Sequence, residues 1–169
     1  MKVHVWFMFF MAVTFFVQGQ DVNRKYMDPR FDREVMVGKC TREGLEQDEE
    51  FGESFNDEYF DYQPNDVIIS KIKKQKNNYE IIIVLGSWCG DSKEQVPRFY
   101  RIIDEARIKE KKLTVICVDG QKTCPDIDLQ AYHIEFVPTF IFFRKGEEIG
   151  RIVETPQISL EEDMLNILK

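Results

Sequence analysis

Gly86-Ser87-Trp88-Cys89-Gly90-Asp91-Ser92 is the stretch whose reading decides the fold. It follows the apolar run Ile81-Ile82-Ile83-Val84-Leu85 and precedes a helical pattern with Val96, Phe99, Ile102, Ile103 and Ala106 on one face. A short, continuously apolar run bounded by a turn has the pattern of a strand buried on both faces. Cys89 therefore stands where a buried strand gives way to a helix. Unpaired N–H groups and the macrodipole at such a helix start favour an anion, here a thiolate. The same junction also suits a cysteine with a purely structural role.

Working outward, Leu113 to Val118 reads as a second buried strand, closed by Asp119-Gly120. Ile127 to Tyr132 supports a short helix. Thr139 to Phe143 is a strand, Arg144-Lys145-Gly146-Glu147 a hairpin turn, and Glu148 to Glu154 its partner. Ser159 caps a last helix carrying Leu160, Met164, Leu165 and Leu168, with Glu162 placed to complete a capping box. On the other side, Pro64-Asn65-Asp66 signals the start of a helix through Val67, Ile68, Ile69 and Ile72 to Lys76, ended by Asn77-Asn78. Pro97, inside the helix that follows Cys89, is expected to bend it. The order from 66 is α-β-α-β-α-β-β-α. That order implies an α/β domain over 66–169, with a mixed central sheet covered by helices on both faces.

Trp88-Cys89-Gly90-Asp91-Ser92, Val137-Pro138-Thr139-Phe140 ahead of a strand, and the hairpin around Gly146 together resemble thioredoxin. The resemblance runs from about 66 to 169, and motif, proline and element order agree independently. It implies a thioredoxin-like fold and a site for thiol–disulfide exchange on protein thiols or disulfides. By the same resemblance, Cys89 is the attacking thiol and Trp88 an apolar surface beside it. Gly90 is exposed backbone for an approaching substrate. Pro138 follows a cis bond facing Cys89, and the Val137 backbone is available to pair with an extended substrate.

Three departures bear on activity. Ser92 stands where thioredoxin has its second cysteine, so these two positions cannot run a dithiol cycle. Its hydroxyl is expected to donate to the Cys89 sulfur. Asp91 replaces the usual proline and places a like charge beside a thiolate, with Lys93 as a compensating cation. Ile83 occupies the strand position of thioredoxin's buried acid. Cys89 then either acts as a monothiol released by an external thiol or is resolved by Cys124 or Cys40. The alternative is a redox-inert binding module using the groove beside Pro138. A peroxide-reducing thiol enzyme ranks lower, because the threonine-containing cysteine loop of that class is missing.

The rest of the chain sets bounds. It has 169 residues, 43% hydrophobic and 31% charged, a globular composition. Val5 to Val17 is almost wholly apolar and too short to span a bilayer comfortably, so 1–19 reads as a secretory signal peptide cleaved after Gly19. Export to a periplasm or to the outside is the expectation, with no stable membrane insertion after cleavage. Residues 20–33 are polar and proline-punctuated and read as a flexible lead-in. Residues 34–65 form an acidic extension with Phe51, Phe55 and Tyr59 on one helical face. That helix either docks its rings on the following domain or caps Cys89. Residues 21–66 hold 14 acidic and 6 basic side chains, while the remainder to 169 is balanced at 16 each. With no basic patch to meet phosphates, nucleic acid is excluded as a partner. Cys40, Cys117 and Cys124 complete the thiols. Cys117 reads as a buried hydrophobe within a strand, and Cys124, after a polar turn, as exposed. Neither they nor His133 match a closed zinc spacing, and no metal or cofactor is expected.

Overall fold

A computed structural model describes residues 22–75 and 78–169. The expected signal peptide, residues 1–19, lies outside the described residues, as do Lys76 and Asn77. The chain runs β1 (Arg24–Asp28), β2 (Arg33–Cys40), α1 (Arg42–Gln47), α2 (Glu49–Asp61), α3 (Asp66–Lys73), β3 (Glu80–Leu85), α4 (Gly90–Glu105), β4 (Leu113–Cys117), β5 (Thr139–Arg144), β6 (Glu147–Val153) and α5 (Leu160–Leu168). One sheet has the order β1-β2-β4-β3-β5-β6, in which only β3 and β4 run parallel.

The apolar runs become the sheet centre because side chains alternate between two buried faces. On one face Ile81, Ile83, Leu85, Val115, Cys117, Phe140 and Phe142 pack with residues of all five α-helices. On the other, Val84, Ile116 and Val118 pack with Cys124, Leu129 and Val137 from the long connection to β5. That connection carries a single 3-10 turn, Gln130–Tyr132, in place of the expected short helix. The mixed sheet with helices packed on it is the architecture that the resemblance implies, except that the second face, expected to be covered by a helix, is covered by the β4–β5 connection with its 3-10 turn.

Helix starts follow the capping residues. Asn65 Oδ1 accepts from the Val67 and Ile68 amides, and Ser159 Oγ accepts from Glu162 N at 3.2 Å. Helix α4 runs unbroken past Pro97, whose ring is buried. Lys145 and Gly146 turn the β5–β6 hairpin at φ of 56° and 83°. Two positive φ values match the right-handed strand twist, and the second falls on glycine, which adopts it without strain.

Two expected boundaries are corrected. The lead-in expected over 20–33 contains strand β1, paired antiparallel with β2 from Arg24↔Val37 to Asp28↔Arg33. As an edge strand with Tyr26 and Met27 exposed, β1 shows no apolar alternation, so its local pattern is silent and backbone pairing supplies the order. Nor does the central domain begin at 66. Strand β2 pairs with β4 inside the sheet, burying Val35, Met36 and Val37, so the expected extension belongs to the sheet from its first residues. Within it, α2 docks as its aromatic spacing requires. Phe51 and Phe55 are buried, and the Phe55 ring lies 5.6 Å from Tyr100 of α4.

Candidate active site

The site forms where β3 ends and α4 begins. The Val118 amide donates to the Leu85 carbonyl, extending the parallel ladder one step beyond β4. Ser87 Oγ accepts from the Met36 amide at 3.0 Å and fastens the loop to β2. The Trp88 indole N–H donates to the Val118 carbonyl at 2.9 Å, so its ring lies back over the strand ends. That placement depends on Gly86, where a Cβ would come within 2.6 Å of the indole. Cys89 is the N-cap of α4, with extended backbone, while Gly90 is exposed at the first helical position.

Cys89 is half-buried, and its Sγ donates to the Val137 carbonyl at 3.2 Å. Val137 is buried, and the Val137–Pro138 peptide is cis. The Pro138 carbonyl accepts from Glu154 N at 2.7 Å, and Thr139 Oγ1 donates to the Phe136 carbonyl at 2.7 Å. The structure thus brings Trp88, Cys89, Gly90, Val137 and Pro138 to one place. The carbonyl of Val137, whose backbone is expected to pair with an extended substrate, accepts from the Cys89 thiol.

The expected role of Ser92 is corrected. Its side chain is fully buried and its Oγ accepts from Gly86 N at 3.3 Å, so it closes the loop instead of donating to sulfur. Ser92 is a positioning residue. Lys93, expected to compensate the thiolate, has its ammonium paired with Glu50 of α2 at 3.1 Å, and Glu50 pairs with Arg33 at 2.7 Å. The hydrogen bond from Lys93, aided by Arg33, holds the Glu50 carboxyl below its usual range.

The other thiols separate by sheet face. Cys124, expected at the surface, is buried in the small apolar cluster against which Trp88 and Cys89 pack. The resolving role considered for Cys40 has no support in its position. It belongs to the cluster on the opposite face, and its thiol donates to the Gly38 carbonyl. Its thiol neighbour is Cys117, set diagonally across the β2–β4 ladder, where Gly38 pairs with Cys117 and Cys40 with Val115. Burial pushes the Cys117 thiol well above its usual value, and the hydrogen bond with Cys40 adds to this. All four cysteines are free. No cluster of three metal-ligating side chains occurs, and no helix is long and apolar enough to cross a membrane, among the described residues.

One part of the site had no signal in the sequence. The turn between β1 and β2 reaches Trp88: the Phe31 ring sits 5.0 Å from the indole with 33° between planes. Asp28, almost fully buried, accepts from Gly120 N at 2.6 Å and from Arg30 N at 2.8 Å. The Arg30 guanidinium donates to the Gly120 carbonyl. Of the two readings of α2, docking is the one its rings follow, and the element that reaches Trp88 is this turn.

Sequence comparison with known proteins agrees with the fold. A family model described as Thioredoxin matches residues 39–165. Thioredoxin Asp f 29 of Aspergillus fumigatus is 28% identical over 98 residues, covering 57% of this chain and 84% of that protein. Thioredoxin H2-1 of Oryza sativa subsp. japonica is 29% identical over 89 residues, 52% of this chain and 60% of that protein's length. A crystal structure of a protein of unknown function from Pseudomonas aeruginosa aligns over 70% of this chain and 79% of its own, at 13% identity and a TM-score of 0.48.

Proposed function

From the premise that this chain belongs to the thioredoxin family, we propose that it is an exported thiol–disulfide exchange protein working through Cys89 alone. The observation that carries the reading is Cys89 itself. It is a half-buried N-cap thiol facing Val137, and the position that would hold its partner is a buried serine. In the reaction, Cys89 as thiolate attacks one sulfur of a protein disulfide. A mixed disulfide forms, and the other substrate sulfur leaves as a thiolate. An external thiol, such as glutathione, then attacks the substrate sulfur of that mixed disulfide. Cys89 departs as thiolate, and the substrate carries the new disulfide. Electrons balance in each step, and no second thiol of this chain takes part.

The expected substrate surface is the groove formed by Gly90, Val137 and Pro138 beside the sulfur. Before a substrate enters, the Cys89 proton must leave the Val137 carbonyl, which frees that oxygen for an incoming backbone N–H. The test is opening of a protein disulfide with glutathione as the sole external thiol, read by mass as one free substrate thiol and one substrate–glutathione disulfide per bridge opened. Turnover should require both glutathione and Cys89, and should survive Cys124→Ser and Cys40→Ser. Turnover that persists in Cys89→Ser would refute the reading.

A redox-inert binding module remains the second reading. Its supporting observation is that the Cys89 thiol, the Ser92 hydroxyl and the Trp88 indole are all satisfied by this chain's own groups. It predicts partners that are retained by Cys89→Ala and by reductant.

A further inference from the structure

We propose that the turn joining β1 to β2 forms the wall of the groove on the Trp88 side of Cys89, and that Phe31 limits which substrates reach the sulfur. This rests on the exchange reaction proposed above and adds what selects its substrate. In a site of this type the tryptophan beside the cysteine is the obvious apolar surface for a partner. Here the chain covers it. The Phe31 ring lies on the Trp88 indole, centroids 5.0 Å apart, while the Gly86 backbone and the Val118 carbonyl hold the indole in place.

The turn is locked where it stands. The buried Asp28 carboxylate closes on Gly120 N and Arg30 N, and Arg30 closes on the Gly120 carbonyl, so both backbone polar groups of Gly120 are used by the turn. A Cβ at position 120 would lie 2.6 Å from Phe31 Cε2, which makes glycine a condition of this approach. At its base, Arg33 is tied through Glu50 to Lys93 in the first turn of α4. The wall is thus joined to the loop after β4 and to the first turn of α4.

The loop that carries Val137 and Pro138 leaves one large apolar side chain in solvent, Phe136, 48% exposed, while Val137 itself is buried. With its Trp88 side filled, the groove admits an extended chain that approaches Cys89 along the loop before β5. It obstructs a broad folded surface that must also cover Trp88. The substrate class that fits is a disulfide on an extended or partly unfolded segment.

The test compares labelling of Cys89 by N-ethylmaleimide and by a bulky polymer-linked maleimide, using the full chain with Cys89→Ala as the blank for the other thiols. Phe31→Ala should raise the bulky-to-small rate ratio by about two- to tenfold, the range expected on losing one aromatic contact. Phe31→Leu, which keeps an apolar side chain there, should stay near the wild-type ratio and so separates loss of the wall from loss of the fold. In a Trp6→Phe background, acrylamide quenching of Trp88 should rise in Phe31→Ala. An unchanged labelling ratio, or unchanged quenching, would overturn the proposal. Labelling does not depend on disulfide exchange, so a Cys89 that labels normally but exchanges with nothing would sink the proposed reaction and leave the wall separately decided.

Discussion

The Cys89 sulfur lies 3.2 Å from the carbonyl oxygen of Val137, the residue before Pro138. The thiol at the start of α4 is thereby fixed against the loop before β5, two segments 48 residues apart in the chain. Ser92, three residues further along α4, turns inward and takes no part in that contact.

Converting Ser92 to cysteine should change the type of chemistry. An introduced thiol there would supply the resolving group that the motif lacks. Oxidised S92C is expected to form an internal bridge with Cys89 and to stop accumulating mixed disulfides, read by intact mass after alkylation. The reduced variant should lose about 1 kcal/mol in urea unfolding, because sulfur is a weaker acceptor for the Gly86 amide.

Glu161 should make stability fall in acid. It is 4% exposed, and its carboxylate accepts from the Tyr62 hydroxyl at 2.6 Å and from Asn65 N at 3.0 Å, tying α5 to the start of α3. Burial alone would raise its pKa, but these hydrogen bonds outweigh it and hold the carboxyl below 4.5. A depressed folded-state value contributes stability that is present above the unfolded value and is lost as pH falls through the folded one. Tyr62→Phe should cost about 1–2 kcal/mol at neutral pH. Its denaturant midpoint should also fall less steeply below about pH 4.5 than that of the wild type.

Cys40 and Cys117 should stay unlabelled in the native protein. Both are buried on the helix-covered face, and burial raises the Cys117 thiol above its usual value, which keeps it protonated and unreactive. Timed alkylation followed by peptide mapping should label Cys89 first and Cys117 only on denaturation. Labelling of Cys117 at the rate of Cys89 would contradict this placement.

Much of this architecture is legible in local sequence because its signals are local. The runs at 81–85 and 113–118, the caps at Asn65 and Ser159, and the turn at Gly146 each specify their own element. The Phe51, Phe55 and Tyr59 spacing likewise specifies α2. Strand β1 is not legible, since an exposed edge strand has no buried face to impose alternation, and Pro29 beside it resembles a linker. The contact of Phe31 with Trp88 and of Asp28 with Gly120 spans 57 and 92 residues. Neither pair leaves a mark in its own neighbourhood. Ser92 departs from its expected role for a related reason: a hydroxyl three residues after a cysteine can face the sulfur or the preceding strand. The Gly86 amide at the end of β3, one more buried donor in need of an acceptor, takes it.

The central claim is that Cys89 alone forms mixed disulfides, and intact mass spectrometry after incubation with glutathione disulfide tests it most directly. The account predicts a single glutathionyl adduct, mapped to the peptide holding Cys89, removed by reductant and missing from Cys89→Ser. An unmodified wild-type protein, or an adduct that maps to Cys124, would contradict it.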